Sequence, residues 1–205
     1  MLLCLMKIIN TDIFNVKLPQ PEPRSGDLLL AVPFMNDGCF SHAVVCLIEH
    51  SRESGTMGLV TNRLSGYTLN ELVEDIPDSE DIPVFVGGPV HNDRLYYLHT
   101  LGNLIPDSVE VVPGLYVGGD FDEVKRYISE GGPLEGTIRF FIGYSGWIRG
   151  QLQRELNNYD WAVTKIYSVD DVMTGVENAA WRLQVANLGE KYRIWLNCPP
   201  NASLN

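Results

Sequence analysis

The sequence has no apolar run near the roughly 18 residues that a membrane-crossing helix needs. Lys7 interrupts the first candidate, and Glu49 and His50 close the next. A soluble chain with no membrane partner is expected. Cysteine is scarce, with 4 in 205 residues, and no CxxC pair occurs. Cys4, Cys39, Cys46 and Cys198 show no zinc-like spacing against His42, His50, His91 or His99. We therefore expect no metal and no cofactor, and a reducing cytoplasm fits best. Positive charge is also short: 15 Lys and Arg stand against 26 Asp and Glu, a net charge of -11. Such a field repels phosphate backbones and anionic membranes at long range, which argues against direct binding of duplex DNA. The densest basic positions, Arg139, Arg149 and Arg154 with Lys191 and Arg193, alternate with acids and read as a solvated mixed surface. Neither a repeat nor a low-complexity tract appears.

The opening "MLLCLMKIIN" has no basic residue before its apolar stretch and no small-residue cleavage site after it, so it does not read as a secretion signal. Met6 is an alternative start. "NVKLPQPEPRSG" carries three prolines and no periodic pattern, so residues 1–25 read as an extended lead-in. One domain over 26–198 and a polar tail over 199–205 complete the expected organisation.

Short β-branched or apolar runs bounded by turn residues read as strands: "DLLLAV", "HAVVCLIE", "TMGLVTN", "IPVFV", "RLYYLHT", "SVEVV", "LYVGG", "TIRFFIGY", "WAVTKIY" and a last one near "YRIWL". Thr68 with Glu71 predicts a capped helix ended by Pro77, and Asp120 with Glu123 predicts a second, stopped by Gly131 and Gly132. "WIRGQLQREL" reads as a helix, and another helical region runs from Ser168 to about Leu188. Interleaved strands and helices without clean βαβ alternation predict an α+β fold.

No sequence motif carries a reaction. "GYSGW" resembles a nucleophile elbow, but Trp147 occupies the position of the second glycine, where a bulky indole blocks the close packing the turn needs. "VGGP" and "YVGGD" lack a phosphate-binding lysine or a GxGxxG spacing and read as tight turns. Glu49 and His50 are adjacent in a strand and so point to opposite faces. Cys46 reads as core, and Cys39, beside Gly38 in a loop, as the more accessible thiol. In the helix after Trp147, Ile148, Leu152 and Leu156 form a core-facing stripe, while Trp147, Gln151 and Glu155 lie four apart along an adjacent one. That row of indole, amide and carboxylate can cross-link the helix to a strand, with Trp161 nearby, or line a cleft.

"PFMNDGCFSHAVVCLIEHSRESGTMGLVTNR", "VFVGGPV" followed by "LHT", and "GYSGWIRGQLQRELNNYDW", in this order and spacing, resemble the YqgE/AlgH family of bacterial proteins. The resemblance spans about Gly26 to Trp161. It implies a cytosolic protein whose branched mixed sheet curls into a pseudo-barrel with helices packed outside. It also carries the label of transcriptional regulator, with no assigned biochemical activity. Glu49, His50, Asn62, Gly87, Gly88, Pro89, His99, Tyr144, Trp147, Gln151 and Glu155 match its motifs and are the candidate ligand- or partner-binding residues. Leu64 departs from the proline the family usually has there, and Ser145 from its common alanine.

Three function classes follow. The first is a binding or regulatory module whose groove, between the Asn62 turn, the Gly87-Gly88-Pro89 turn and the Trp147-to-Glu155 helix, holds a small molecule or a protein partner. The second is an enzyme using Glu49, His50 or Glu155 as acid or base, which lacks a metal cluster, a cofactor loop or an activated nucleophile. The third, direct DNA binding, lacks a basic recognition helix.

Overall fold

The computed structural model describes residues 14–35, 38–76 and 81–198. Readings of the chain start, of Pro77 as a helix stop and of the polar tail lie outside those residues. The strands are β1 (Asp27–Ala31), β2 (Val44–Ser51), β3 (Gly55–Val60), β4 (Leu64–Thr68), β5 (Pro83–Val86), β6 (Val90–His99), β7 (Val109–Val112), β8 (Leu115–Val117), β9 (Ile138–Trp147) and β10 (Trp161–Lys165). The helices are α1 (Leu69–Leu72), α2 (Phe121–Ser129), α3 (Gln151–Asn157), α4 (Val169–Thr174) and α5 (Glu177–Asn187), with 3-10 turns at Gly102–Leu104 and Glu190–Asn197.

The sheet runs β10-β1-β2-β3-β9-β6-β8-β7 and branches at β9. One edge of β9 pairs antiparallel with β3 through Ser145–Trp147 and parallel with β5 through Phe140–Ile142, while the other pairs with β6. Gly143 permits this change of partner. It lies at φ +66, and a Cβ there would stand 2.6 Å from the Gly88 carbonyl oxygen, so only glycine fits. The sheet curls without closing: a Cβ on Gly26, just before β1, would meet Val112 of β7 at 2.4 Å, yet β7 and β10 are the two ends of the strand order.

Both faces of the sheet are covered along β1, β2, β9 and β10, which explains why these strands read as continuous apolar runs. The concave core gathers Leu28, Leu30, Cys46, Leu98, Leu115 and Phe141, closed by Trp181 of α5 and Trp195. On the outer faces, Leu29, Val45 and Leu47 pack with Leu152 and Leu156 of α3, and Val84, Ile138 and Phe140 pack with Leu69 of α1 and Val124 of α2. Leu28, Leu29 and Leu30 are each almost completely buried on alternating sides, and each contributes about 1.5–3 kcal/mol from apolar burial. The fold is α+β with a branched mixed sheet, as expected. Ahead of β1, the described residues from Phe14 on are tied down: Phe14 is in the concave core, its carbonyl accepts from Trp195 Nε1 at 2.7 Å, and Gln20 accepts from Val163 N–H at 2.9 Å.

Several elements differ from the expectation. "WIRG" is not helical: β9 continues to Trp147, and α3 starts only after Gly150, which takes φ +73. Ile148 consequently leaves the core stripe and is 72% exposed. "YRIWL" is a 3-10 helix rather than a strand, because Tyr192, Trp195 and Cys198 are buried at a spacing of three. The region from Ser168 to Leu188 breaks into α4 and α5 at Gly175, and β4 is an additional strand. The α2 stop forms as expected, with Gly132 N–H bonded to Tyr127 O and Gly131 N–H to Ile128 O. Its start is capped by Asp120, but Glu123 pairs with Arg126 and the Asp120 N–H goes to Pro106 O.

Candidate functional site

The row of Trp147, Gln151 and Glu155 turns inward. The end of β9 lays Trp147 over α3, and β10 brings Trp161 to the same point. Both indole N–H groups donate to Oε2 of Glu155, at 2.7 and 2.8 Å, and Gln151 Nε2 donates to Oε1 at 2.9 Å. The Gln151 carbonyl oxygen accepts from Ile148 N–H at 3.2 Å. The two indoles are 5% and 2% exposed and meet edge to face, with Phe40 against both. Every polar group in this row has an internal partner, so it joins strand to helix.

Asn62 is equally committed. Its Oδ1 accepts from Val44 N–H at 2.9 Å, and its Nδ2 donates to His42 O at 3.0 Å and Glu177 O at 2.8 Å. Gly87 and Gly88 allow close backbone contact with β9: a Cβ would fall 2.3 Å from Gly143 O in one case and 2.3 Å from the Tyr144 carbonyl carbon in the other. Pro89 follows them into β6. Ser145 is sealed in the strand and donates to Gly87 O at 3.0 Å, and among the described residues no histidine or acid bonds its hydroxyl. His99 is fully buried, with Nε2 3.0 Å from Gly118 O and Nδ1 accepting from Leu101 N–H at 3.3 Å. Burial holds its pKa below the usual imidazole value, which the bond to Gly118 only partly offsets. Tyr144 stacks on His91 and meets Tyr96 edge-on.

Glu49 is exposed, and His50 bonds Thr56 Oγ1 through Nδ1 at 2.7 Å. His50 alone of the predicted site residues lines one of the described cavities, an open groove of about 370 Å³ between Glu22, Arg52, Gly55 and Gln153. The Asn62 turn and the Gly87 turn do touch, through the Val60 N–H to Gly87 O bond at 2.8 Å. Together with the helix they form packed structure, with no groove of their own among those cavities.

The chemistry that remains unmatched lies elsewhere, at Arg139. In β9 it alternates with Ile138 and Phe140, which face the outer core, so its side chain points with Phe141 toward the concave side. It is 6% exposed, and its guanidinium carbon sits 4.1 Å over the Phe85 ring. Nη1 donates to Thr61 O at 2.6 Å and Gly175 O at 2.7 Å. Among the described residues no carboxylate forms an ion pair with it. Desolvation pushes its pKa down to about 10, still far enough above neutrality to keep the charge. Arg139 lines a cleft of about 500 Å³ whose other walls include Ile82, Pro83, Phe85, Met173 and Val176, with Asp81 and Glu135 at its exposed rim.

Sequence reading placed Arg139 on a solvated surface and missed this site. The available signal was a single charge inside the apolar run "TIRFFIGY", where strand alternation and burial on both faces leave it little access to water. Among the described residues no His, Cys, Asp or Glu cluster suits a metal ion, and no helix is long and apolar enough to cross a membrane.

The AlgH-like family model, DUF179, matches residues 28–193. A UPF0301 protein of Bacteroides fragilis is 40% identical over 96% of this chain and 99% of its own length, and one of Parabacteroides distasonis is 38% identical over 95% and 98%. Among solved structures, the AlgH protein of Pseudomonas aeruginosa superposes with a TM-score of 0.69 at 28% identity, covering 89% of this chain and 98% of that one. A Corynebacterium diphtheriae protein gives the same TM-score at 21% identity, covering 89% and 96%, and shares the fold.

Proposed function

The chain belongs to the AlgH-like family, and from this premise we propose that it works by binding, with the Arg139 cleft as its site. The observation that carries the proposal is a buried guanidinium with no acidic partner among the described residues, held open on an apolar cleft. Burying a charge without a counter-ion is costly, and folds rarely keep one that serves packing alone. Catalysis is disfavoured because, among the described residues, no Ser, Cys or His lines this cleft, and Asn62, Gln151 and Glu155 are committed to internal bonds.

The regulatory label implied by the resemblance then runs through a bound small molecule or a protein partner. Direct DNA binding would have to overcome the net charge of -11. A cytoplasmic location accords with a sequence low in cysteine, 4 in 205 residues with no CxxC pair.

Hydrogen exchange with and without a small-molecule extract of bacterial cells tests the site. Exchange should slow at Pro83–Val86 and at residues 173–176. Slowing confined to residues 50–56, around the His50 groove, or no slowing at all, would reject the Arg139 cleft.

A further inference from the structure

We infer that the Arg139 cleft takes a small monocarboxylate with an apolar body, an inference that rests on the binding reading above and narrows it. With Nη1 tied to Thr61 O and Gly175 O, and Phe85 beneath the plane, the edge formed by Nε and Nη2 is left over. That edge bonds no described residue, and neither nitrogen is among the buried atoms stranded without a partner, so it opens on the cleft. Two parallel N–H donors at fixed spacing match the two oxygens of a carboxylate.

The charge of the ligand follows from its surroundings. Arg139 is the only Lys, Arg or His among the described residues lining this cleft. Asp81 and Glu135, both exposed at the rim, add negative potential that a dianionic phosphate would meet on entry. A single negative charge is what one guanidinium neutralises. The remaining volume is far larger than a carboxylate, and Ile82, Pro83, Met173 and Val176 give it apolar walls, so the rest of the ligand is hydrocarbon. The two carbonyl anchors hold the guanidinium in place before binding, which lowers the ordering cost of forming the pair.

Calorimetric titration of the intact chain with octanoate, octanamide and octyl phosphate reads this directly. Octanoate should bind saturably, octanamide about tenfold or more weakly, and octyl phosphate no more tightly than octanoate. Arg139→Lys should weaken octanoate by about tenfold, because an ammonium keeps the charge and loses the fork. Val176→Trp, at a position 41% exposed at the start of α5, should fill the cleft and abolish octanoate binding with an unchanged melting temperature. If octanamide matches octanoate and Val176→Trp still blocks both, the carboxylate inference fails while the binding site stands. Octyl phosphate binding tenfold tighter would make it a phosphate site and overturn the inference too. No saturable binding by any probe, or octanoate binding indifferent to Val176→Trp, would overturn both the inference and the proposed site.

Discussion

Glu155 and Arg139 are both drawn at least partly out of water, and they are treated in opposite ways. Glu155 is met by three N–H donors, two from indoles and one from an amide, so both carboxylate oxygens are occupied. Arg139 is more deeply buried, yet only Nη1 is bonded, and to neutral carbonyls. A fully matched charge fixes one geometry and leaves nothing for a ligand to add. A half-matched one stores binding capacity, because its unused donors gain most from an anion that arrives from outside. The lesson is that polar residues gathered on one helix face are not by themselves a site; the state of their hydrogen bonds decides.

The sharpest way to break this comparison is to remove each charge in turn. Glu155→Ala strands two buried indole N–H groups and should cost about 3–4 kcal/mol, read as a lower urea midpoint at unchanged slope. Asn62→Ala removes three bonds that tie β2 and α5 to the turn after β3, and about 2–3 kcal/mol should be lost. A melting temperature left intact by Asn62→Ala would return that side chain to the list of ligand contacts. Arg139→Met should change stability by only about 1 kcal/mol, since relief of desolvation offsets the loss of two carbonyl bonds and the contact with Phe85. A loss as large as that of Glu155→Ala would make Arg139 a structural residue and remove the contrast.

Much of the fold was legible in the sequence, and the exceptions have physical causes. Apolar runs located nine of the ten strands, most plainly β1, β2, β9 and β10, where burial on both faces makes the run almost uniformly hydrophobic. The α2 stop was legible because paired glycines serve a left-handed cap. β4 escaped notice because "LSGYT" is a half-exposed strand with a glycine at its centre. The site was less visible than the fold. Trp147, Gln151 and Glu155 do meet, as helical spacing suggested, but Trp147 reaches Glu155 from the end of a strand, and the second indole comes from Trp161 across a turn. Arg139 was hidden for the converse reason: one arginine in a strand reads as surface until its partners are counted in three dimensions.

The smallest expected effect concerns imidazoles. His99 and His42 are both buried, and desolvation holds both pKa values below 6.5, with Arg182 and Arg63 adding to the effect at His42. In the unfolded chain each takes up a proton as pH falls through about 6.5, while in the fold each stays neutral to lower pH. The unfolded state therefore binds more protons in that window, and stability falls as pH drops below 6.5 and flattens once the folded-state values are passed. His99→Gln can keep a donor toward Gly118 O without titrating, so its urea midpoint should fall less steeply between about pH 6.5 and pH 5 than that of the unaltered chain. Parallel profiles would mean that His99 is protonated as readily in the fold as out of it, and that a buried, hydrogen-bonded polar group can here take up charge without a partner. The contrast between Glu155 and Arg139 would then lose its premise, because burial alone would no longer make an unmatched charge costly.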